Sequence, residues 1–504
     1  MVPETSPVSK NLNSALYLSS PAKAGFGLDT FIEKGIALLL IFTPLAIGTV
    51  QQWSIAVMET VAFLIFGAWL LKTQRAESRE QRTESGNQRA ERRGYLLYAL
   101  CPLLFAMIFL VIFQIIPLPE QLLTVISPST VRTYKEFMNS TESRWLTISL
   151  YPNATREELF KLLSYTAIFF VIINHYRTVE QIKGIVRLVA YMGSFMVIFA
   201  VIQKMTWNGS LYWFYPLRNG LNPIGPYINR NHFAGYMEMA VPLALGLLVY
   251  KSAKIQTLSY LPLAKRIAHL LDRKELLPLT FLSLGILIMS AGVFFSLSRG
   301  GITGFMVSVL FFTAMIRTRR ILRKKAWPLT LLGITLFFAV IMATWSQIEG
   351  RFEEANIHRI DVWKDTIPIV RDFPMFGTGL GTFNNIYPRY QTKYPQLLFD
   401  HAHNDYIEIL TDTGLVGFII VAGMVITFFS IIIRRWRIRH NTFAQCIGIG
   451  GISSCVAMAV HSFTDFNLHI PANALLLTVI AAITYAAVYN VKERKAHSAE
   501  SKIP

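Results

Sequence analysis

Residues 414–433 read GLVGFIIVAGMVITFFSIII, twenty consecutive positions without a charge. A helix rises about 1.5 Å per residue, so this run is about 30 Å long and matches the hydrocarbon core of a bilayer. Arg434, Arg435, Arg437 and Arg439 close it on one side, and the polar stretch HAHNDYIE, residues 401–408, precedes it on the other. The 504-residue chain is 53% apolar and repeats such runs. They predict twelve helical spans near residues 31–50, 53–71, 95–116, 159–175, 185–203, 233–250, 278–297, 301–316, 328–345, 414–433, 443–463 and 471–490. The expected fold is an all-α polytopic membrane protein with a large extracytoplasmic loop between spans nine and ten.

A net charge of +18 would suggest nucleic acid in a soluble protein. Here the sign follows topology instead, because Lys and Arg concentrate in alternate loops. Residues 72–94 hold seven of them, 251–277 six, 317–325 six, 434–439 four and the tail after 491 four. Segment 346–413 carries six against ten Asp and Glu. The basic loops and both termini are therefore expected in the cytoplasm, and 346–413 outside it. Residues 1–30 form a cytoplasmic segment without a signal peptide's short apolar core, so the first span is read as the export signal. Residues 31–490 are the transmembrane domain and 491–504 a cytoplasmic tail. Cys101, Cys446 and Cys455 all fall within spans, with no disulfide or zinc framework.

Between spans, TQRAESREQRTESGNQRAERRG at 73–94 reads as a solvated cytoplasmic loop. The outer loops are 117–158, 204–232 and 346–413, and the last holds most of the polar and aromatic residues outside spans. Function is expected there and at the adjoining span ends. Within it, Ile360, Trp363, Ile367 and Val370 recur at helical spacing, predicting an amphipathic helix lying on the membrane or on other spans, which Pro368 should kink or shorten. Tyr387, Tyr390 and Tyr394 continue at that spacing. Such a stripe suits stacking on sugar rings, and equally suits plain packing.

Ionised groups at the outer span ends are the candidates for chemistry. Arg299, in Ser298-Arg299-Gly300-Gly301, is caught between two spans with almost no loop; Arg230 heads another span, and Arg351 and Arg359 open the large loop. Guanidinium groups bind phosphate oxygens bidentately and keep their charge when partly desolvated. The alternative is that they snorkel or pair with acids. Imidazole titrates near neutrality, so His403 suits a general base if a neighbour orients it; His401, Asp405 and Glu408 are the candidates. A helix starting near Asn404 would put 403, 407 and 410 on one face.

Two metal-ligand patterns compete with that reading: His401-x-His403 with Asp405, and His461, Asp465 and His469 at four-residue spacing. No HExxH or CxxC accompanies them, and no metal site is expected. Gly377-Thr378-Gly379-Leu380-Gly381 lacks the strand–turn–helix setting of a phosphate loop and reads as a tight turn. Glu59 and Glu238, inside spans, are what a transporter reading would rest on.

Several of these stretches, in this order, resemble the O-antigen ligase and polymerase superfamily of bacterial membrane glycosyltransferases: Asn229-Arg230-Asn231-His232-Phe233-Ala234-Gly235, Ser298-Arg299-Gly300-Gly301, Gly377 to Gly381, His401 to Tyr406 and Gly414-Leu415-Val416-Gly417. Ser149 to Pro152, Ala154 to Glu157, and His461 to Pro471 are similar to segments of bacterial members, so the resemblance covers about residues 145–490.

The resemblance implies a twelve-span enzyme of the bacterial inner membrane that works without metal, cofactor or nucleotide. Its donor would be an undecaprenyl-diphosphate-linked glycan, and its acceptor lipid A core or another glycan, in lipopolysaccharide or exopolysaccharide synthesis on the periplasmic side. His403 would correspond to the loop histidine of the family, and Arg299 with Arg351 or Arg359 to its phosphate-binding arginines. From the residues themselves, Arg230 joins the diphosphate-binding candidates, and His401, Asn404, Asp405 and Glu408 are the supporting ones. A protein hydroxyl as acceptor, or a flippase of lipid-linked glycan, are the alternatives.

Overall fold

The computed structural model describes residues 27–80, 94–137, 145–217, 223–254, 276–319 and 354–491. Helices account for nearly all of the regular structure: α1 Leu28–Leu45, α2 Gln52–Glu80, α3 Gly94–Ile115, α4 Glu120–Ile126, α5 Pro128–Phe137, α6 Pro152–His175, α7 Val179–Met205, α8 Arg230–Lys254, α9 Leu276–Phe295, α10 Arg299–Arg317, α11 Glu354–Asp372, α12 Phe383–Tyr390, α13 Asp405–Ile438, α14 Thr442–His461 and α15 Pro471–Tyr489. Sheet is confined to two-residue antiparallel pairs, Leu118–Pro119 with Trp145–Leu146 and Ser210–Leu211 with Tyr215–Pro216. Among the described residues, nine helices are long and apolar enough to cross a membrane. The chain is an all-α polytopic membrane protein.

Each of the eleven expected spans within the described residues overlaps a helix, the nine membrane-crossing ones together with α1 and α3; the ninth expected span, 328–345, lies outside them, as does Arg351. Helix α1 ends at Leu45, short of the expected 50, and other boundaries differ where helices begin or end in polar sequence. Helix α6 starts at Pro152 rather than 159, with proline in its first turn, where a missing N–H costs nothing. Helix α2 runs to Glu80, so the first residues of the segment read as a loop from 73 are helical.

Helix α13 starts at Asp405, nine residues before the apolar run, and breaks at Gly414. Gly414 has φ 63° and ψ −168°, a region open essentially to glycine alone. The break frees N–H groups of the next turn, and Leu415 and Val416 donate to Pro374 O (2.8 Å) and Met375 O (3.1 Å). The loop is thereby stitched to the head of the span.

The core of the bundle is α8, α14 and α15, whose apolar spans are 94%, 83% and 78% buried, against 11% for α13. Ser454 of α14 donates to Met239 O of α8 at 2.6 Å, satisfying a hydroxyl inside that core. Around one end of the bundle sits a second, small core of Val362, Ile369, Phe373, Phe383, Ile386, Tyr387 and Ala402. Here α11 departs from expectation. Its packed face carries Val362, Ile369 and Phe373, whereas Ile360 and Ile367 are exposed and Trp363 is half-buried. Pro368 is accommodated inside the helix, which continues to Asp372.

The Gly377–Gly381 segment is a turn, as read. Gly377, Gly379 and Gly381 all have positive φ, and Thr378 N and Gly379 N donate to Thr411 O and Asp412 O of α13, both at 3.0 Å. Leu150 N donates to Thr378 O at 2.8 Å, so the stretch before α6 docks on the same turn.

Candidate active site

Three chain segments meet at the end of the bundle that carries this small core: the Ser298–Gly301 turn, residues 401–408 and residues 461–470. Only three residues, 296–298, separate α9 from α10. Ser298 caps α10 by accepting from Gly301 N at 3.2 Å, which fixes Arg299 as the first helical residue. Arg299 is half-buried there, and the positive charge of Arg359 bears on it from α11.

Asn404 caps α13, its side chain accepting from Tyr406 N (3.0 Å) and Ile407 N (3.1 Å). The helix therefore starts where expected, but His403 stands before the cap with φ 50° and does not share a face with residues 407 and 410. The left-handed turn directs its ring elsewhere: Nδ1 lies 3.4 Å from Oδ1 of Asp465.

Asp465 is the hub. Its buried carboxylate faces His403, His232 (Nε2 at 3.7 Å) and Arg359 (Nη2 at 3.7 Å). Burial pushes its carboxyl up, but the neighbouring imidazoles of His232 and His403 outweigh that and hold it well below the usual carboxylate range. The Phe466 ring organises the imidazoles, stacked on His401 (4.0 Å between centroids) and edge-on to His232 (4.7 Å) and His403 (4.9 Å).

Behind this layer, Glu408 lies 2.6 Å from His401 Nδ1 and 3.3 Å from His469 Nε2, and Asp405 lies 3.1 Å from His469 Nδ1. Burial lowers the His469 pKa, but the Glu408 and Asp405 carboxylates win and push it up to about 10. Trp363 donates to Ala402 O at 2.9 Å, tying α11 to this layer.

Neither of the two metal-ligand patterns weighed in the sequence is brought together in the structure. His403 and Asp405 face different partners, and so do His461, Asp465 and His469. A third group, His401, Glu408 and His469, brings its ligand atoms within 4.8 Å of one another. Within it Glu408 faces both imidazoles, and Asp405 takes the remaining ring nitrogen of His469.

The tyrosine stripe is not assembled either. Helix α12 ends at Tyr390 and Tyr394 follows in a left-handed conformation, so the three rings share no helical face. Tyr387 is 1% exposed, stacked on Phe383 and aimed at Asp365, which withdraws it from a sugar. Tyr390 and Tyr394 are half-buried, their hydroxyls directed at Asp372 (2.5 Å) and Asp361 (3.5 Å). Arg230 is half-buried at the head of α8, two residues before His232. Asp465, His232 and His469 are the functional candidates to which sequence reading gave no place beside His403. The four-residue spacing of 461, 465 and 469 was visible but pointed toward a metal.

The arginines and the carboxylate-held histidine thus gather at one end of a bundle of membrane-spanning helices. Residues 284–422, which contain Arg299, Arg359, His401, His403 and the glycine turn, match the family model described as O-antigen ligase. This match, over residues 284–422 alone, supports a likeness to the O-antigen ligase and polymerase superfamily. An uncharacterized protein of Haemophilus influenzae is 30% identical over 104 residues, covering 20% of this chain and 26% of that relative's length.

Proposed function

We propose that this protein transfers a glycan from undecaprenyl diphosphate to a hydroxyl acceptor on the periplasmic face of the bacterial inner membrane, as an O-antigen ligase or a polysaccharide polymerase. The observation that carries the proposal is Asp465, which holds His403 at 3.4 Å and Arg359 at 3.7 Å beside Arg299. A proton acceptor and an anion clamp thus share one carboxylate, the pairing needed when a hydroxyl attacks a diphosphate-activated sugar.

With Asp465 on Nδ1 of His403, that nitrogen carries the proton and Nε2 is left to accept one. The acceptor hydroxyl loses its proton to Nε2 as its oxygen bonds the anomeric carbon. The bond from that carbon to the diphosphate oxygen breaks, and its electron pair leaves with undecaprenyl diphosphate. Arg299 and Arg359 stabilise the charge that grows on the departing oxygen. The residues contribute positioning, charge and one proton transfer, so neither metal nor nucleotide enters the scheme.

Two experiments test the reading. Impermeant cysteine labelling in intact cells should modify a cysteine at position 395 and spare one at position 80; the reverse pattern would put the site in the cytoplasm and end the periplasmic assignment. Purified protein supplied with undecaprenyl-diphosphate glycan should extend lipid A core in one step if it is a ligase, or build a ladder from donor alone if it is a polymerase. Growth on a protein hydroxyl instead would assign a protein acceptor.

A further inference from the structure

Glu238 lies in the middle of the most buried helix, 0% exposed, and the transfer scheme above makes no use of it. Its Oε1 is 3.0 Å from Nδ1 of His461, the last residue of α14, itself 1% exposed. A carboxyl and an imidazole in such a core would suit proton coupling if their free atoms opened on a cavity. They do not. A methyl added at Gly304 of α10 would come within 2.6 Å of Glu238 Oε2, and one at Gly300 within 2.5 Å of His461 Cδ2, while also striking Thr464 Oγ1. Gly300 and Gly304, one helical turn apart, form a slot on α10 into which the pair is pressed. Among the described residues neither Glu238 Oε2 nor His461 Nε2 has a hydrogen-bond partner.

The position of this contact matters more than its polarity. Gly300 follows Arg299, and Thr464, whose hydroxyl donates to His461 O at 3.1 Å, precedes Asp465. The Glu238–His461 pair therefore touches the turn carrying the arginine clamp on one side and heads the turn carrying the His403 partner on the other. A hydrogen bond sets both the distance and the orientation of the imidazole, which an apolar contact between α8 and α14 would leave free.

We propose that Glu238 and His461 are positioning residues, a buried brace between α8 and α14 that fixes the Arg299 turn relative to Asp465 and His403. The inference rests on the glycosyltransferase reading and adds to it how the diphosphate clamp is kept in register with the base. Misplacing a substrate-holding group by about 1 Å costs on the order of 100-fold in rate. The direct contact of His461 is with Gly300, beside Arg299, so loss of the brace should appear first in the donor parameters.

The test is steady-state kinetics of the full-length protein in detergent, varying donor and acceptor separately, with size-exclusion profiles to count folded enzyme. Glu238→Leu is expected to raise the donor KM and lower kcat/KM for donor by about 100-fold, leaving the acceptor KM unchanged. Glu238→Gln keeps an oxygen to accept from His461 Nδ1 and should recover at least about tenfold of that loss. Gly300→Ala leaves the pair's chemistry intact but fills the slot, and should give the same donor-side defect. It carries the test if Glu238→Leu does not fold. Combining the two should cost little more than either alone. Variants whose kcat falls only with the amount of folded protein, both KM values holding, would overturn the brace while sparing the glycosyltransferase reading. A wild-type protein that joins no glycans would overturn both.

Discussion

Replacing Asp465 by asparagine isolates the role of one buried charge. Asparagine matches aspartate in volume and keeps an oxygen for Phe466 N, which donates to Asp465 Oδ1 at 2.9 Å, so the turn should survive the change. What goes is the anion 3.4 Å from His403. At an effective dielectric near 20, two unit charges at that distance interact by on the order of 4–5 kcal/mol. His403 is 29% exposed, which screens part of this and leaves about 4 kcal/mol, or a loss of about a thousandfold in turnover. The assay is transfer by purified Asp465→Asn at saturating donor and acceptor, normalised to monodisperse protein. Turnover within tenfold of wild type would refute the claim that Asp465 stabilises an imidazolium at His403.

Other outcomes follow from the same geometry. Arg299→Ala and Arg359→Ala should each lower kcat/KM for the donor by about 100-fold or more, and Arg299→Lys should recover only part, since an ammonium lacks the bidentate fork; donor kinetics decide. His469 is raised from an ordinary 6.5 to about 10, so its stabilising effect is complete below about pH 6.5 and fades as pH rises through 10. His469→Gln should therefore cost about 3–5 kcal/mol at neutral pH, and its thermal midpoint in detergent should converge with wild type toward pH 10. Gly414→Ala must adopt a glycine-only conformation and meet the Met375 backbone, costing at least about 1–3 kcal/mol in a denaturation assay. Extensive chelation should leave transfer unchanged; loss restored by zinc would turn attention to His401, Glu408 and His469.

The spans were legible because a bilayer demands long uncharged runs, and residues 414–433 meet that demand without help from the rest of the chain. Helix ends were not, because a helix extending past the apolar run leaves no trace in hydropathy: α2 continues through polar sequence to Glu80, α6 begins with polar and charged residues through Glu158, and the first turn of α13 is acidic. The helix start near Asn404 was legible, but not that Asn404 is its cap and leaves His403 outside the helix. The partner of His403 is 62 residues away, and only the packing of α13 on α14 brings Asp465 to it. The tyrosine spacing misled because periodicity has meaning only while the helix lasts, and α12 ends at Tyr390. The stripe on α11 was real, but spacing alone does not say which face is packed; the loop core took Val362 and Ile369, leaving Ile360 and Ile367 outside.

The most direct test of the whole account is to count products. Wild-type protein purified in detergent, given undecaprenyl-diphosphate glycan and an acceptor with no second compartment, should release one undecaprenyl diphosphate for each glycosidic bond formed, and His403→Ala should abolish both together. Well-folded protein that forms no bond with any acceptor, yet moves the donor across proteoliposomes, would contradict the account and make this chain a transporter.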